Sequence, residues 1–363
     1  MIGLDRHLRR HFDWMLTGLV LLVAVIGLVN LYSATRHVPR HGLFSTQVVW
    51  MVIGAGIFGA TALIDYRNWT RVAWILLLLG IVAVVGVHFI GISVKGSRRW
   101  LGVGGLRVQP SEFMKLAVIL AIARLVHERD ALSLFSRVFR VVAIFGAVLL
   151  IAWQPDLGTA TLVGLIVATV ALVAARRLWP VLVGGGLLAA GAPLLWWYVL
   201  HDYQKLRILT FLDPASDPSG AGWHSRQSIF AVGSGRLFGK RWLHGTQNQL
   251  NFLPEQWTDF PFSVWAEEWG FVGASLLVLA YAALVFWIVH IARQARDRFG
   301  ATLCVGVAAM LFWHVFVNIA MVTGLAPVVG ITLPLVSYGR SSLVTFCIAL
   351  GLVASVSLRR FAR

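Results

Sequence analysis

The chain has 363 residues, of which 58% are hydrophobic and only 13% are charged, and its formal net charge is +16. A soluble globular domain carries roughly 25% charged residues, so this composition excludes an ordinary soluble protein and indicates one that is solvated by lipid. The positive charge does not point to nucleic acid, because much of it lies in the loops between apolar runs, as membrane topology requires.

Ten apolar runs predict transmembrane helices. In chain order they cover residues 14–34, 47–64, 72–91, 112–127, 138–153, 157–175, 179–200, 261–292, 301–323 and 339–358. A bilayer core about 30 Å thick needs about 20 apolar residues in a helix. Because the runs are continuously apolar rather than alternating, they do not predict a β-barrel. We therefore predict an all-α polytopic membrane protein with about ten transmembrane helices, forming one domain over residues 1–363.

The short loops on one side carry more Lys and Arg than those on the other, which predicts cytoplasmic N- and C-termini. The first run follows Arg6, Arg9 and Arg10, but it is long and no clear cleavage site follows it, so we predict an uncleaved span. Residues 201–260, between the seventh and eighth spans, then form one large outer loop. Its scattered aromatic and aliphatic residues predict that this loop is ordered.

Three carboxylates, Glu112, Asp156 and Asp259, stand where spans that start on the outer side are expected to begin. We predict that Ser111 is the N-cap residue before Glu112. Because the helix dipole and the unpaired N–H groups favour an anion there, each of the three acids could simply cap a helix. For Asp156, we favour capping over a role in substrate binding.

Asp259 lies among Trp257, Phe260 and Phe262, which could partly desolvate its carboxylate. Desolvation raises the pKa of a carboxylate in general and makes it a better base. As a cap, Asp259 would precede Pro261, which is tolerated in the first turn of a helix. The local sequence supports capping and catalysis equally.

Lys115 lies inside an apolar run, three residues after Glu112 and therefore on the same face of the predicted helix. An ionisable residue within a span is by default a functional candidate that has a partner. We favour a Glu–Lys pair that faces a hydrophilic cavity, with a purely structural buried pair as the alternative.

Two further segments are predicted to interrupt helical structure. The stretch GSGRLFGKRW resembles a phosphate-binding loop, but Ser234 and Arg241 break that motif, so a glycine-rich turn is predicted. The stretch GLAPVVGITLPLVSYGR contains Pro327 and Pro334, which break a helix. Such backbone either lines a cavity under cover of the protein or forms an ordinary outer loop.

Several motifs resemble one known family when they are taken together. In chain order they are KGSRRWLGVGGLRVQPSEFMKLA, WQPDLGTA, LHDYQKLRILTFLDP, SDPSGAGWHSRQS, GKRWLHGTQNQLNFLPEQWTDF, VWAEEWG and LPLVSYG. They closely resemble the SEDS family of bacterial membrane proteins, and its RodA branch in particular, over about residues 14–358. The resemblance implies ten transmembrane helices and a peptidoglycan glycosyltransferase. Such an enzyme polymerises lipid II into glycan strands at the outer face of the cytoplasmic membrane during cell elongation.

The resemblance also implies a site. The family's catalytic aspartate, in its Thr-Asp-Phe motif, corresponds to Asp259, and the implied reaction is one inverting displacement with Asp259 as general base. Basic residues are expected to offset charge that develops on the diphosphate leaving group. The expected substrate-binding and cavity residues are Arg99, Trp100, Glu112, Lys115, Asp156, Arg207, Lys240, Arg241, Glu255 and Thr258.

We expect Glu255 to position the loop, and Glu267 and Glu268 to be mainly structural or cavity-lining. No motif establishes a cofactor, although a divalent cation, Mg²⁺ or Mn²⁺, could assist the diphosphate. The cysteines, Cys304 and Cys347, lie in different spans, which predicts buried thiols rather than a disulfide or a metal site.

The expected partners are lipid II, the undecaprenyl-diphosphate-linked glycan, a class B penicillin-binding protein that crosslinks the strands, and other elongation-complex proteins. No nucleic acid is expected. The main alternative is a lipid II flippase or transporter, which broken segments and an intramembrane lysine would also suit. A scaffold without catalysis is a third hypothesis.

The chain departs from the family pattern at three places. Gln256 and Trp257 precede Thr258, where members often have a His directly before Thr-Asp. Arg340 replaces the second Gly of a Ser-Tyr-Gly-Gly motif, and tryptophans replace Leu in the VWAEEWG stretch. If that His tunes the aspartate in relatives, this chain must tune Asp259 by other means.

Overall fold

The computed structural model describes residues 12–36, 42–94, 97–103, 106–128, 133–154, 156–174, 185–186, 190–191, 193, 195–200, 202–213, 220–250, 252–253 and 255–360. The predicted seventh span, residues 179–200, lies mostly outside these described residues.

The described chain is mostly helical. Its elements are α1 (Trp14–Thr35), α2 (Leu43–Leu63), α3 (Tyr66–Ile90), β1 (Ile92–Val94), β2 (Ser97–Val103), β3 (Leu106–Val108), α4 (Pro110–His127), α5 (Leu134–Trp153), α6 (Leu157–Ala174), a π-helical turn (Leu195–Val199), α7 (Asp202–Leu212), α8 (Ala221–Ser234), α9 (Thr246–Gln249), α10 (Pro261–Arg293), α11 (Arg298–Val322) and α12 (Arg340–Arg359). Within the described residues, eight helices are long and apolar enough to cross a membrane, namely α1, α2, α3, α5, α6, α10, α11 and α12. Each overlaps one predicted run, so the chain is a multi-pass membrane protein.

Helix α4 lies at the centre of the bundle, although Glu112, Lys115 and Arg124 make it less apolar than its neighbours. Its residues are almost all buried from Pro110 to Ala123, and it packs against α3, α6, α11 and α12. Because protein rather than lipid surrounds it, charged side chains are tolerated there as long as they find partners.

A small sheet corrects the all-α prediction. Strands β1, β2 and β3 form an antiparallel sheet in that order, with Ile92 opposite Trp100 and Leu101 opposite Val108. The sheet occupies the Gly- and Arg-rich stretch between α3 and α4, which lies between the predicted third and fourth spans. Its strands are three to seven residues long, too short for alternation to be recognisable in the sequence.

The two ends of the described chain lie at the same end of the bundle. Asp13, just before α1, accepts a hydrogen bond from the Ser357 hydroxyl of α12 (2.8 Å) and faces the Arg360 guanidinium at 3.8 Å. Helix α12 therefore begins at the opposite end. Helices α4, α6 and α10 begin there too, since the Gln109 N–H donates to the Ser341 hydroxyl, the Ser111 hydroxyl donates to Asp156, and Asn30 donates to the Pro261 carbonyl.

Helix α10 is broken at Gly270, whose φ of 65° and ψ of −164° are not helical. The backbone N–H groups that follow the break lose their partners within the helix, and the glycine-rich turn of GSGRLFGKRW supplies new ones. Phe271 N–H donates to the Arg236 carbonyl at 2.8 Å, and Val272 N–H donates to the Leu237 carbonyl at 3.1 Å.

The same turn also satisfies the carbonyl groups that precede the break. Lys240 N–H donates to the Glu267 carbonyl at 3.0 Å, and Arg241 N–H donates to the Glu268 carbonyl at 3.1 Å. We call residues 236–241 the backbone clip. It is a turn, as the sequence predicted, but its role in closing a helix break could not be read from its own residues.

Gly270→Ala is expected to destabilise the protein by about 2–4 kcal/mol, because a side chain disfavours positive φ and would crowd a close-packed contact. A Cβ at Gly270 would lie only 2.6 Å from the Leu237 carbonyl oxygen of the clip. The melting temperature of the purified protein in detergent measures the loss.

The matched control is Gly164→Ala, since a Cβ at Gly164 of α6 would meet nothing within 4 Å. It should change stability by no more than about 1 kcal/mol. Equal melting temperatures for the two variants would contradict the role assigned to the clip.

Candidate active site

Asp259 lies in a tight turn that leads into α10. The Glu255 carbonyl accepts hydrogen bonds from the N–H groups of Thr258 and Asp259, both at 3.0 Å, and Glu255 has a positive φ of 51°. The Thr258 hydroxyl donates to the Glu255 carboxylate at 3.3 Å. Glu255 and Thr258 thus shape the turn, as expected for Glu255.

The structure contradicts the capping interpretation of Asp259. Helix α10 begins at Pro261, its N-cap residue is Phe260, and the N-cap side chain makes no capping hydrogen bond. Asp259 therefore lies one residue before the cap position, and its carboxylate is half-buried beside a different segment.

That segment is the proline-broken stretch between α11 and α12. Asn318 of α11 donates from Nδ2 to the Asp259 carbonyl at 3.0 Å and to the Ile331 carbonyl at 2.6 Å. Gly330 has a φ of 75°, and a Cβ placed on it would lie 3.6 Å from Asp259 Oδ2. Asn318 thus brings the Asp259 turn and the broken stretch together, and the carboxylate faces the Gly330 backbone.

The C-terminal end of α1 is fixed to the same turn by amide side chains. Gln256 donates to the Ala34 carbonyl at the end of α1 at 3.0 Å. Asn30, one turn earlier, donates to the Pro261 carbonyl at 2.8 Å. The Tyr338 N–H of the broken stretch donates to the Trp257 carbonyl at 2.7 Å, so backbone contacts also hold the turn.

Asp156 caps α6 and also contacts polar side chains of other elements. Its Oδ1 accepts the Thr159 N–H at 3.3 Å and lies 3.6 Å from the Arg99 guanidinium. Its Oδ2 accepts from Gln109 Nε2 at 3.1 Å and from the Ser111 hydroxyl at 3.2 Å. The capping prediction for Asp156 is therefore confirmed.

The N-cap prediction for Ser111 is wrong. Helix α4 begins at Pro110 with Gln109 as its N-cap residue, and the Ser111 hydroxyl is used across the bundle by Asp156 instead. Pro110 is favourable in the first position of a helix, because the N–H that it lacks would have no partner there. The helix therefore begins before Ser111. Glu112 still falls in the first turn, as predicted.

The Asp156 cluster and Asp259 flank the same piece of backbone. A Cβ on Gly158, in the first turn of α6, would lie 2.9 Å from the Val329 carbonyl oxygen. Val329 directly precedes Gly330, which faces Asp259. Arg99 and Trp100 are both half-buried on β2, so this strand carries them to the same end of the bundle.

Glu112 and Lys115 form the predicted ion pair, and the structure adds a third member. Lys115 Nζ lies 2.8 Å from Glu112 Oε1 and 2.8 Å from Nε2 of His314, on α11. His314 Nδ1 lies 2.7 Å from the Met310 carbonyl oxygen, which assigns the ring proton to Nδ1 and leaves Nε2 to accept from the ammonium.

All three side chains are at least nine-tenths buried. His314 precedes Asn318 by one helical turn, so the cluster lies next to the residue that binds the Asp259 carbonyl. The sequence analysis identified neither His314 nor Asn318. The available signal was a polar residue at i and i+4 within an otherwise apolar run, which places both on one helix face.

The remaining predicted cations differ in their surroundings. Lys240 lies 2.8 Å from the buried Glu267 carboxylate, which also accepts a hydrogen bond from Thr246. The positive charge of Lys240 is therefore paired with a carboxylate of the protein. Arg241 is exposed on the clip. Arg207 of α7 lines a small pocket beside Pro327 of the broken stretch.

Glu268 accepts a hydrogen bond from the Ser33 hydroxyl of α1, so both acids of the VWAEEWG stretch are structural. Both cysteines are buried and free. Among the residues that the structure describes, no group of three or more His, Cys, Asp or Glu side chains could hold a metal ion.

Comparison with known proteins shows which family the chain belongs to. Residues 13–361 match the FtsW/RodA/SpoVE family, described as "Cell cycle protein". The chain belongs to the FtsW/RodA/SpoVE family. It is 41% identical over 352 residues to the peptidoglycan glycosyltransferase MrdB of Escherichia coli K12, covering 96% of this chain and 94% of that protein.

Two solved structures share the family fold. One, described as "Structural coordination of polymerization and crosslinking by a peptidoglycan synthase complex", is 31% identical with a TM-score of 0.82, covering 97% of this chain and 99% of the other. RodA of Thermus thermophilus is 30% identical with a TM-score of 0.72, covering 97% of this chain and 98% of the other.

In this member of the FtsW/RodA/SpoVE family, Lys115→Met should destabilise the protein by about 3–5 kcal/mol, because it leaves the Glu112 carboxylate buried without its counter-charge. The double variant Glu112→Gln/Lys115→Met should lose less than the sum of the two single variants, by about 1–3 kcal/mol. Thermal unfolding of all four proteins measures this coupling. Strictly additive losses would show that the two side chains do not stabilise each other.

Proposed function

We propose that this chain is a peptidoglycan glycosyltransferase, which polymerises lipid II into glycan strands during cell elongation. The observation that carries the proposal is the carboxylate of Asp259, which a shaped turn and the Asn318 clamp direct at the Gly330 backbone. The relative MrdB, similar over nearly its whole length, is named a peptidoglycan glycosyltransferase, which supports the same activity here.

The proposed setting is the bacterial cytoplasmic membrane, with about ten spans, both termini in the cytoplasm and residues 201–260 outside. Two observations support it. The chain ends share one end of the bundle, and the acids Glu112, Asp156 and Asp259 lie near helix starts at the opposite end. Because both termini are proposed to be cytoplasmic, the proposed site, at the opposite end of the bundle, faces outward.

The proposed chemistry is one inverting displacement. Asp259 takes the proton of the attacking sugar hydroxyl, and the hydroxyl oxygen forms a bond to the anomeric carbon of the other sugar. The bond from that carbon to the diphosphate oxygen breaks with its electron pair. Because a diphosphate is already a stable anion, it needs positive charge rather than a proton. One carboxylate is therefore sufficient.

The five predicted cations are not equivalent in this proposal. Lys240 is paired with buried Glu267, and Arg99 lies at the Asp156 cap, so both hold the protein framework. Lys115 is fixed between Glu112 and His314, with its ammonium oriented by both. Arg207 and Arg241 are the remaining candidates. Mg²⁺ or Mn²⁺ stays an expectation, because Mg²⁺ binds to as little as one carboxylate when substrate phosphates join it.

The proposed partner is a class B penicillin-binding protein, which would crosslink the new strands alongside other elongation-complex proteins. Its support is the similar solved chain that belongs to a peptidoglycan synthase complex of polymerisation and crosslinking. Lipid II and the undecaprenyl-diphosphate-linked glycan are the proposed substrates.

Asp259→Asn should lower the rate of glycan synthesis from purified lipid II by about 100-fold or more, because an amide cannot accept the hydroxyl proton. Folding and lipid II binding should persist, as measured by melting temperature and a binding titration. Asp202→Asn is the matched control, since Asp202 is a fully exposed acid in the same outer loop, and it should retain full activity.

A flippase would move lipid II whether or not this carboxylate were present. If the Asp259→Asn variant polymerised lipid II at the normal rate, Asp259 could not be the general base. If the wild-type protein with its partner made no glycan from lipid II, the polymerase proposal itself would fail.

Accessible thiols test the topology, because the native Cys304 and Cys347 are buried and should react little. Arg241→Cys, in the outer loop, should be labelled in intact cells by a membrane-impermeant maleimide. Arg296→Cys, an exposed position between α10 and α11, should be labelled only after the membrane is opened. The reverse pattern would invert the proposed orientation.

A further inference from the structure

The backbone clip is bound to α10 where the uncharged part of that helix begins. Phe271–Ala292 contains no Asp, Glu, Lys or Arg. At 1.5 Å per residue this segment is about as long as a hydrocarbon core is thick, about 30 Å. The clip accepts hydrogen bonds from the first two N–H groups of the segment, those of Phe271 and Val272. The clip therefore lies near one surface of the hydrocarbon core, which is the outer surface in the proposed orientation.

Two apolar side chains of the clip are left uncovered by the protein. Leu237 is 53% exposed and Phe238 is 77% exposed. We call these two residues the apolar tip. Because the Leu237 carbonyl accepts the Val272 N–H, the tip adjoins Phe271 and Val272, whose side chains are exposed as well. A contiguous apolar surface of this kind marks a contact with a membrane or with another protein.

The surface that the tip adjoins is a lipid-facing side of α10. Val272, Leu276, Leu279 and Phe286 are all exposed. Their spacings of four, three and seven residues place them on one side of the helix. Exposed apolar side chains of a membrane-crossing segment contact lipid tails, so the tip extends a lipid contact beyond the end of that segment.

An open cavity lies against the clip. Its volume is about 640 Å³, and it is lined by residues 234–240. This volume is within the range of roughly 300–1,000 Å³ that is usual for ligand cavities. Since the lining includes both the apolar tip and Arg236, a molecule in the cavity meets apolar surface and positive charge together.

Arg236 supplies the charge of this site. It directly precedes the tip and is exposed. Lys240 also lines the cavity, but its ammonium is paired with buried Glu267. Basic residues beside aromatic and aliphatic ones are typical of segments that lie in a membrane surface, where the apolar side chains enter the acyl boundary and the cation attracts anionic lipid. The site therefore fits a lipid that joins apolar chains to a negatively charged headgroup.

This site is separate from the proposed catalytic turn. The helical segment Pro261–Trp269, about 14 Å long, lies between Asp259 and the break at Gly270. The Asp259 carboxylate faces the Gly330 backbone, whereas the tip adjoins the residues that follow the break. A lipid held at the clip is thus distinct from a substrate held at Asp259.

We propose that the clip is a membrane anchor of the outer loop. Leu237 and Phe238 enter the outer leaflet, and Arg236 binds the phosphate of an anionic phospholipid such as phosphatidylglycerol. The anchor holds the outer loop at the membrane surface, at the level of the α10 break. It does not depend on the polymerisation of lipid II, so contact with lipid tests it independently of glycan synthesis.

The depth of the tip is measured with a bimane fluorophore on Phe238→Cys, in the full chain reconstituted in phosphatidylcholine nanodiscs. A nitroxide on the lipid acyl chain should quench this probe at least about threefold more strongly than a probe on Asp202→Cys, because interfacial segments lie about 5–10 Å inside the boundary. Iodide in the water should show the opposite order. Asp202 is a fully exposed acid of the same outer loop, and Leu279→Cys is the lipid-facing reference.

The preference for anionic lipid is measured with the probe on Gly233→Cys, which leaves the tip intact. A Cβ on Gly233 would meet nothing within 4 Å, and the Gly233 carbonyl accepts the Arg236 N–H. Nitroxide-labelled phosphatidylglycerol should quench this probe more strongly than labelled phosphatidylcholine. Arg236→Gln should lower that ratio about fivefold, the effect of one basic residue at an anionic surface. Arg296→Gln, an exposed arginine at the opposite end of the bundle, is the matched control and should keep the ratio.

The double variant Leu237→Ser/Phe238→Ser should weaken quenching of the Gly233→Cys probe by both lipids. Its melting temperature in detergent should stay close to that of the parent, because the clip binds α10 through backbone groups that the variant keeps. A large drop in melting temperature with unchanged quenching by lipid would assign the tip a purely structural role and overturn the anchor.

Three further results would overturn the proposal. If iodide quenched the Phe238→Cys probe as it quenches the Asp202→Cys probe, the tip would lie in water. If Arg236→Gln kept the full preference for phosphatidylglycerol, Arg236 would not bind the headgroup. If purified class B penicillin-binding protein abolished quenching of the Phe238→Cys probe by lipid, the surface would belong to a protein partner, whereas unchanged quenching in its presence would support the anchor.

Discussion

One buried amide joins two non-helical segments at the end of the bundle that is opposite the chain ends. Asn318 uses its two N–H groups to bind the carbonyls of Asp259 and Ile331, which belong to two non-helical segments far apart in the chain. Neither carbonyl has a helical partner, and inside a membrane protein an unsatisfied carbonyl costs several kcal/mol. The same bond therefore stabilises both segments and sets their relative position. Together with the bond from the Tyr338 N–H to the Trp257 carbonyl, this constraint holds the Asp259 turn against the Gly330 backbone.

The same principle recurs around the turn. Asn30 and Gln256 each satisfy one backbone carbonyl at the junction of α1 and α10. Three buried carboxylates at this end are matched with basic side chains, in the pairs Glu112 with Lys115, Asp156 with Arg99, and Glu267 with Lys240. A bundle surrounded by lipid gains little from apolar contact between helices, because lipid tails are equally apolar. Polar bonds thus carry much of the information that specifies this end of the structure.

Much of the fold could be predicted from sequence because length and hydropathy determine where a helix can cross lipid. The runs that became α1, α2, α3 and α10 to α12 needed no further information. The small sheet could not be predicted, because its strands are short and their pairing depends on α3 and α4 being adjacent. Ser111 shows the same limit at one residue: its hydroxyl serves Asp156, a partner that only tertiary structure supplies.

For the site, local sequence left Asp259 undecided between cap and base, and only the position of α10's start removed the first option. Asn318 and His314 were missed because a single polar residue in an apolar run does not reveal its partner. At position 257, where members of the family often have His, this chain has Trp. The Trp257 carbonyl accepts a hydrogen bond from the Tyr338 N–H, and any residue could supply that carbonyl, which partly explains the departure.

The break in α10 also has a consequence for depth in the membrane. The part of the helix after the break, Phe271–Arg293, has 23 residues, or about 35 Å at 1.5 Å per residue, whereas a hydrocarbon core is about 30 Å thick. These residues are long enough to cross such a core by themselves, so the turns between Asp259 and Gly270 are not needed for the crossing. The number of residues between Asp259 and Gly270 sets how far the carboxylate lies from the start of the crossing segment.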